Sequence, residues 1–371
     1  MTESRPSADS ARNRPDARAV TVLVPGDPET RTGGYGYDRR VVAGLRAAGW
    51  TVDVRRLDDS FPFPTPAARS HAAATLAALP DGTLVLADGL ALGVLPDEIA
   101  AHAARLVVVA LVHHPLAAET GLTPAQAAAL ADSERRALAS ARAVVVTSRT
   151  TAAALDEYGV ASDRVAVVEP GTDAAPIARA TVDVPSAPVD VSLLCVATLT
   201  PRKGHELLLD ALASVPHRAW RLRCAGSIER DARTTARVIE RARAHGFGDR
   251  VELVGDLDPP RLAVEYDRAD LFVLATLYEG YGMAVAEALA RGLPVVATAA
   301  GAIPDLVGGG GIVVAPGDVG ALAHALTAAI GDARLRARLA AGARRVREHL
   351  PTWDRTAAAM AAALERARAA A

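Results

Sequence analysis

The chain has 371 residues, of which 50% are hydrophobic and 23% are charged, so it can bury the cores of two globular domains. Its formal net charge of −2 gives no reason to expect nucleic acid or an anionic membrane as a partner. No apolar run approaches the roughly 20 residues of a membrane-spanning helix, so we expect no transmembrane segment.

Residues 1–18 are polar, contain two prolines and lack the apolar region of a signal peptide, so we predict a disordered N-terminal extension. The two cysteines, Cys195 and Cys224, are isolated from each other along the chain, and each lies in an apolar run typical of a strand. Two isolated cysteines in a chain of this length indicate buried, reduced thiols and a cytoplasmic protein. Their spacing is not that of metal ligands.

From Ala19 onward, short apolar runs alternate with alanine-rich segments of helical period. A helix is predicted over 35–48, ended by Gly49, and Ser148 is a suitable N-cap for a helix that reaches Tyr158. Such alternation predicts an open, mostly parallel, doubly wound sheet. The predicted strands are 20–24, 51–57, 83–87, 106–112, 143–147 and 165–168.

Residues 174–190 contain three prolines and show little periodicity, which predicts a linker. The alternation then restarts, with strands predicted over 191–197, 220–225, 251–254, 271–275, 295–297 and 312–314. The predicted fold class is therefore α/β, with two doubly wound Rossmann-like domains facing each other across a cleft. We place the extension at 1–18, the first domain at 19–178, the linker at 179–190, the second domain at 191–352 and a C-terminal helix at 353–371.

A glycine-rich turn follows the first strand, and in it Gly33, Gly34 and Tyr35 precede the first helix. Glycines allow a ligand to approach the backbone closely, and the start of a helix offers free N–H groups. Because glycine-rich turns are common after strands, a plain strand–helix connection is the alternative interpretation.

Two histidines, His113 and His114, directly follow the strand predicted over 106–112. Ligands bind at the carboxyl ends of strands in doubly wound sheets, so a histidine here can bind a ligand hydroxyl or move a proton. The structural alternative is a strand-end histidine that is hydrogen-bonded to backbone. We predict a catalytic role for His113, with His114 as the second candidate.

Arg202 and Lys203 lie in the turn between the strand at 191–197 and the next helix, where a cation and free N–H groups point to one place. Lys203 is the single lysine among the 41 lysine and arginine residues, so an ordinary surface position would more often carry arginine. We therefore prefer a ligand-binding Lys203 over a solvated one. For Arg202 both roles stay open, since adjacent residues usually point apart.

The stretch 271–298 predicts a buried strand, a short turn, a helix over 283–290 and the beginning of another strand. Its turn contains two glycines, and the N–H groups at the helix start attract anions such as phosphate. The residues concerned are Glu279, Gly280, Tyr281, Gly282 and Met283.

Two carboxylates flank this turn, because Glu279 precedes the helix and Glu287 lies on it, one turn after Met283 and on the same face. An anion-binding helix end with two carboxylates nearby suits a ligand that carries both phosphates and hydroxyls, such as a sugar nucleotide. The alternative is an ordinary strand–helix unit in which Glu287 pairs with Arg291 on the surface.

The pattern E-G-Y-G-x4-E, from Glu279 to Glu287, resembles the signature of family 4 glycosyltransferases with the GT-B fold. The resemblance covers essentially 20–353 and is most specific between 191 and 315. It implies donor-diphosphate contacts from Lys203, Arg202, Gly280, Tyr281, Gly282 and Met283, a ribose contact from Glu287, and a base region at Asp256 and Leu257. It also implies that Glu279 and His113 lie at the transferred sugar and that Gly33, Gly34, Tyr35 and His114 face the acceptor side.

Thr198 departs from the family pattern, because many members carry a diphosphate-binding arginine at that position. Of the two cations expected to bind the diphosphate, a lysine and an arginine, the arginine is therefore missing unless the neighbouring Arg202 replaces it. In the GT-B fold the last helix returns to the first domain, and the helix predicted over 353–371 could do the same.

The resemblance implies a retaining glycosyltransferase that uses a nucleotide diphosphate sugar, a UDP-sugar by default, without a metal or a resident cofactor. The acceptor could be a small molecule, a lipid or a glycan, and residues 58–80 and 113–125 are expected to shape its pocket. A sugar-nucleotide epimerase or hydrolase of the same fold is the alternative. A Rossmann-type binding module would carry G-x-G-x-x-G after the first strand, which the turn at 33–36 does not match. A polypeptide acceptor stays open.

Overall fold

A computed structural model describes residues 18–179, 190–217 and 219–370. All residues of the predicted extension except Arg18, and residues 180–189 of the predicted linker, lie outside these ranges. The boundaries of the predicted linker therefore stay predictions.

The first domain is built on a parallel sheet of six strands in the order β2-β1-β3-β4-β5-β6. The strands are β1 (Ala19–Pro25), β2 (Thr51–Leu57), β3 (Leu84–Asp88), β4 (Val107–Val112), β5 (Ala143–Val146) and β6 (Val165–Val167). Every residue of β3 and β4 is buried, as expected for central parallel strands covered by helices on both faces.

Helices α1 to α6 cover this sheet, and their starts follow from the capping residues in the sequence. Hydroxyls of Thr32, Thr65, Thr123 and Ser148 accept backbone N–H groups at the starts of four of them. The helices are α1 (Gly33–Ala47), α2 (Pro66–Ala77), α3 (Gly89–Leu92), α4 (Pro96–His102), α5 (Pro124–Ser140) and α6 (Arg149–Ala154).

The second domain repeats the architecture with six parallel strands in the order β12-β11-β10-β7-β8-β9. The strands are β7 (Val191–Val196), β8 (Trp220–Ala225), β9 (Val251–Gly255), β10 (Leu271–Leu274), β11 (Val295–Thr298) and β12 (Gly311–Val314). The helices are α7 (His205–Ala213), α8 (Ala232–Ala244), α9 (Pro259–Arg268), α10 (Met283–Ala290), α11 (Ile303–Val307), α12 (Val319–Gly331) and α13 (Ala333–Arg347).

Both strand orders contain a reversal point, between β1 and β3 in the first sheet and between β7 and β10 in the second. In doubly wound sheets, ligands bind beside such a point, outside the carboxyl ends of the strands. The turns that follow β7 and β10 contain Lys203 and Glu279, so the strand order alone places these two side chains at one edge.

The C-terminal helix α14 (Trp353–Ala369) packs against α1 of the first domain. Met360 and Leu364 are fully buried in the same apolar cluster as Leu45. Gly44 permits this packing, because a Cβ atom there would lie 2.5 Å from the Cβ of Ala357. Helix α14 therefore belongs to the core of the first domain.

All twelve predicted strands are present, most within one residue of the expected bounds. The first helix differs, since it begins at Gly33 rather than Tyr35, and the glycine-rich turn is its first helical turn. The side chain of Thr32 causes this early start by accepting the N–H of Tyr35 at 3.4 Å. Within the described ranges, no helix is long and apolar enough to cross a membrane.

Candidate functional site

The turn that carries Lys203 is held directly against the end of β10. After β7 the chain makes a 3-10 turn, Pro201–Lys203, and then Gly204 adopts φ 66°. A Cβ atom on Gly204 would lie 2.0 Å from the carbonyl oxygen of Ala275, so only glycine allows this approach. The carbonyl of Arg202 accepts the N–H of Leu277 at 2.7 Å and the hydroxyl of Thr276 at 3.1 Å.

Lys203 and Glu279 form a largely buried ion pair at this edge of the second sheet. Lys203 Nζ lies 2.5 Å from Glu279 Oε2, and the two side chains are 16% and 15% exposed. Burial alone would raise the pKa of Glu279, but the charges of Lys203 and Arg202 outweigh it and lower that pKa. Glu279 is therefore an ionised carboxylate fixed beside two cations.

The side chains of Arg202 and Lys203 converge on one carboxylate, although adjacent residues usually point apart. Arg202 Nη1 lies 3.9 Å from the same Glu279 Oε2 that binds Lys203. Successive side chains in a 3-10 turn are about 120° apart rather than opposed as in a strand, so two long side chains can converge. Arg202 thus joins the cationic cluster, and its role toward a diphosphate stays a prediction.

Arg202 also joins the two domains through Glu119. Its Nε donates to Glu119 Oε1 at 3.1 Å, and its Nη1 donates to the carbonyl of Tyr278 at 2.9 Å. Burial alone would raise the pKa of Glu119. Hydrogen bonding to His114 and the charge of Arg202 outweigh burial and lower this pKa to about 2. The imidazole of His114 lies 5.6 Å from the Tyr278 ring, and burial is the main cause that lowers the His114 pKa.

The N-terminus of α10 lies next to this cluster and has no side-chain cap. Gly282 precedes it with φ 100°, a conformation that favours glycine. The first N–H groups of the helix are therefore available to an anion. Met283, the first residue of α10, extends toward the first domain, where its Sδ lies 3.9 Å from the Cβ position of Gly33.

Gly280 and Gly33 lie where the two domains meet, and Gly34 lies beside His113 within the first domain. A Cβ atom on Gly280 would lie 2.3 Å from the carbonyl oxygen of His113, and one on Gly34 would lie 3.7 Å from the His113 ring. Larger residues at 280 would push the two loops apart. The structure therefore brings the glycine-rich start of α1, His113 and the turn at 279–283 together.

Two predicted site residues direct their side chains away from this meeting point. The ring of Tyr281 is 7% exposed and packs against Ala286 and Ala302. The hydroxyl of Tyr35 donates to the carbonyl of Pro25 at 2.6 Å, inside its own domain. Only the backbone of Tyr281 is placed to meet a ligand, because its side chain fills an apolar site below the turn.

Glu287 is half-buried on α10 and bonded to Tyr266 rather than to a surface arginine. The Tyr266 hydroxyl donates to Glu287 Oε2 at 3.0 Å, and burial raises the pKa of Glu287. Arg291 instead stacks on the Tyr266 ring, 4.4 Å from its centroid, and donates to the backbone carbonyl of Glu287 at 2.9 Å. The alternative of a surface Glu287–Arg291 side-chain pair is therefore wrong.

Asp256 and Leu257 follow β9, the edge strand of the second sheet. Asp256 is exposed and Leu257 is half-buried. Over the described part of the chain, no hydrogen bond or ion pair connects them to Lys203 or Glu279. Their assignment to the base region stays a prediction.

His113 lies between two buried carboxylates that sequence reasoning missed. Its Nε2 lies 3.3 Å from Asp38 Oδ1 and 3.9 Å from Asp88 Oδ2. Burial lowers the pKa of His113, but Asp38 and Asp88 outweigh it and raise that pKa to about 9. Asp88 ends β3 and could have been noticed as a strand-end carboxylate, whereas Asp38 reaches the site from inside α1.

The two cysteines are isolated in the sequence but adjacent in space. Cys195 and Cys224 are register partners on β7 and β8, and both are free and buried. The buried His205 places its Nε2 3.7 Å from Cys195 Sγ. The three side chains offer three ligand atoms within 4.8 Å of one another, one fewer than a closed structural zinc site uses.

Glu134 on α5 fixes the loop after His114, and its burial predicts a pH effect on stability. Its Oε2 accepts the N–H of Leu116 at 2.9 Å, and burial raises its pKa to about 7. Since the folded state keeps a proton that the unfolded state releases, the free energy of unfolding should fall as pH rises through 5–7. Glu134→Gln should remove this pH-dependent loss of stability, which is on the order of 2 kcal/mol.

Denaturant unfolding of wild type and Glu134→Gln at pH 5 and pH 8 measures this contribution. The loss of stability between the two pH values should be smaller in the variant. Equal losses would show that Glu134 does not titrate as its burial requires.

Models of known protein families match both domains. A family model described as "Glycosyltransferase Family 4" matches residues 19–175, and one described as "Glycosyl transferases group 1" matches residues 190–332. Each match covers one of the two sheets.

Curated relatives are similar over part of the chain. A D-inositol 3-phosphate glycosyltransferase of Xylanimonas cellulosilytica is 35% identical over 246 residues, which is 61% of this chain and 57% of the relative. That of Salinispora tropica is 32% identical over 60% of this chain and 50% of the relative. An MMP alpha-(1->4)-mannosyltransferase of Mycolicibacterium hassiacum is 32% identical over 45% of this chain and 41% of the relative. The chain thus spans about half the length of the curated relatives it matches.

Solved structures share the whole architecture at low sequence identity. Sucrose-phosphate synthase from Thermosynechococcus elongatus aligns with a TM-score of 0.80 and 24% identity, over 95% of this chain and 100% of that one. Anabaena HepE in complex with UDP and glucose aligns with a TM-score of 0.72 and 17% identity, over 94% of this chain and 100% of that one. These likenesses confirm the predicted fold class.

Proposed function

Because the chain belongs to the family 4 glycosyltransferases and has their GT-B fold, we propose that it transfers a sugar from a nucleotide diphosphate sugar to an acceptor hydroxyl, with retention of configuration. The observation that carries the proposal is the Lys203–Glu279 ion pair beside the uncapped start of α10, at the strand reversal of the second sheet. This arrangement places positive charge and hydrogen-bond acceptors for hydroxyls side by side.

The diphosphate would bind to Lys203 Nζ and to the first N–H groups of α10. As the bond between the sugar and the diphosphate breaks, negative charge grows on the leaving phosphate. A fixed ammonium and a helix N-terminus stabilise that charge more strongly in the transition state than in the bound donor. Lys203 is already oriented by Glu279, so little reorganisation is needed when the donor enters.

Glu279 would orient the transferred sugar. Its carboxylate is ionised and largely buried, and a carboxylate accepts hydrogen bonds from neighbouring sugar hydroxyls. Glu287 would bind the ribose hydroxyls from the face of α10 that Met283 shares. The Tyr266 hydroxyl occupies Glu287 Oε2, which leaves Oε1 for the ribose.

Retention is proposed from family membership. In this proposal the leaving phosphate itself takes the proton of the acceptor hydroxyl on the face that the diphosphate leaves. We propose that no divalent metal and no resident cofactor are needed, because Lys203, Arg202 and the α10 N-terminus supply the positive charge.

The acceptor would bind against the first domain, near Gly33, Gly34 and His114. The two inositol-phosphate glycosyltransferases and the mannosyltransferase above suggest a small hydroxylated acceptor, and a lipid or a glycan is the alternative acceptor. A UDP-sugar is the first donor to test.

A donor and acceptor panel tests the proposal. UDP-glucose, UDP-N-acetylglucosamine, GDP-mannose and ADP-glucose are incubated with inositol phosphates, simple glycosides and lipid extracts, and released nucleoside diphosphate is measured. We expect release that depends on an acceptor and a product with the anomeric configuration of the donor by NMR. Conversion of the sugar nucleotide without any acceptor would instead identify an epimerase or hydrolase, and an inverted product would contradict retention.

A further inference from the structure

Three side chains from separate elements converge at the carboxyl edge of the first sheet. Asp38 comes from α1, Asp88 from the end of β3, and His113 from the residue after β4. His113 Nε2 lies 3.3 Å from Asp38 Oδ1 and 3.9 Å from Asp88 Oδ2. Both carboxylates therefore act on the same ring nitrogen.

Asp38 and His113 lack ordinary side-chain hydrogen bonds, whereas Asp88 Oδ1 accepts the N–H of Leu90 at 2.7 Å. Both carboxylate oxygens of Asp38 and Nε2 of His113 are sealed from solvent without an aligned hydrogen-bond partner, and Asp38 is 4% exposed. An unpaired carboxylate in such a place is strongly destabilising unless a positive charge lies beside it. Among the described side chains, the group within ion-pair distance of Asp38 is the imidazole of His113.

The second ring nitrogen has different surroundings. His113 Nδ1 is not among the sealed atoms, it has no hydrogen-bond partner among the described residues, and the side chain is 21% exposed. The ring lies beside Gly34, and the His113 carbonyl accepts from the hydroxyl of Thr147 at 3.2 Å. The edge of Tyr37 also packs on the ring, 5.4 Å between centroids.

We propose that Asp38 and Asp88 are positioning residues that keep His113 protonated on both ring nitrogens, so that its Nδ1–H donates a hydrogen bond to a substrate oxygen in the cleft. This inference deepens the proposed function and rests on it for the identity of that oxygen. It makes His113 a hydrogen-bond donor at neutral pH, to a hydroxyl of the sugar or an oxygen of the phosphate. His113 is then not the base that removes the acceptor proton.

The charges around the imidazole agree with this assignment. Burial lowers the pKa of His113, but Asp38 and then Asp88 raise it to about 9. Burial and the neighbouring Asp38 raise the pKa of Asp88 to about 7. The neighbouring His114 has a lowered pKa and is uncharged at neutral pH, so it does not oppose a positive His113.

The test is a histidine titration by NMR on the full chain labelled with ¹⁵N-histidine, without any ligand. His113→Gln identifies the His113 signals by their loss, and Asp38→Asn and Asp88→Asn remove one charge each while keeping shape. In wild type we expect both His113 nitrogens to stay protonated above pH 8. Asp38→Asn should lower the His113 pKa by at least one unit, and Asp88→Asn by less.

A wild-type His113 that titrates at or below the usual pH of about 6.5 would overturn the inference, and so would an Asp38→Asn variant with an unchanged His113 pKa. If Asp38→Asn does not fold, the wild type and Asp88→Asn still decide the protonation state. The titration needs no donor, so it is independent of the proposed function.

The donor turnover profile is the second measurement, made once an active donor is known. Its alkaline limb should move to lower pH in Asp38→Asn, which a merely structural role of Asp38 would not cause. An alkaline limb at the same pH as wild type would contradict the positioning role.

Discussion

Lys203→Ala is expected to lower donor turnover by roughly two to three orders of magnitude, the loss seen when one fixed donor to a developing oxyanion is removed. Lys203 Nζ carries a full positive charge 2.5 Å from Glu279 Oε2, and the uncapped helix α10 begins at Met283, shortly after Glu279. Release of nucleoside diphosphate at saturating donor measures the effect. Because the lost interaction strengthens in the transition state, kcat should fall together with kcat/KM.

The control for this substitution must separate chemistry from stability. Lys203→Ala leaves Glu279 largely buried with Arg202 at 3.9 Å as its remaining cation, so the variant should also be less stable. Turnover is therefore measured well below the melting temperature of the variant, where circular dichroism shows that it is folded. Full turnover of the folded Lys203→Ala variant would show that Lys203 serves the fold and not the donor.

Glu287→Ala is expected to abolish donor turnover while the fold stays intact. Glu287 is half-buried on α10 with one carboxylate oxygen on Tyr266, and the ribose hydroxyls would bind the other. Donor affinity and turnover should both fall, by roughly 100-fold or more in kcat/KM, because buried donor hydroxyls lose a charged acceptor. Circular dichroism and the melting temperature report whether the fold is kept.

Tyr266→Phe is the matched control for Glu287. It removes the same internal hydrogen bond, 3.0 Å from the Tyr266 hydroxyl to Glu287 Oε2, but keeps the carboxylate. Donor turnover should therefore survive in Tyr266→Phe and fail in Glu287→Ala. Undiminished turnover in Glu287→Ala, or equal losses in both variants, would contradict the ribose assignment.

The fold could be predicted from the sequence because its strands are short, apolar and buried on both faces. β4 is a continuous run of buried residues, and α10 occupies the predicted residues 283–290. Signals of this kind are local, so they need no knowledge of the tertiary structure. The glycines at 280 and 282 could be recognised from the sequence for the same reason. A glycine in such a turn indicates either a close approach between two backbone segments or a positive φ.

The parts of the site that escaped prediction depend on contacts between distant segments. Asp38 and His113 meet because α1 and β4 face the same edge, and no local pattern records that approach. The direction of the Arg202 side chain could not be decided from the sequence, because a 3-10 turn replaces the alternation of a strand. The motif places Tyr281 at the diphosphate, but the packing of its ring against Ala286 and Ala302 is a contact that the motif does not show.

The most direct test of the central claim is a thermal-shift panel of UDP, GDP, ADP and dTDP on wild type and on Lys203→Ala. A ligand that binds only the folded state adds about 2.7 kcal/mol at one hundred times its Kd, a shift of several degrees in Tm. We predict that one diphosphate raises the Tm of wild type and raises that of the variant much less. No shift with any of the four, or the same shift in both proteins, would contradict a nucleotide diphosphate site at Lys203.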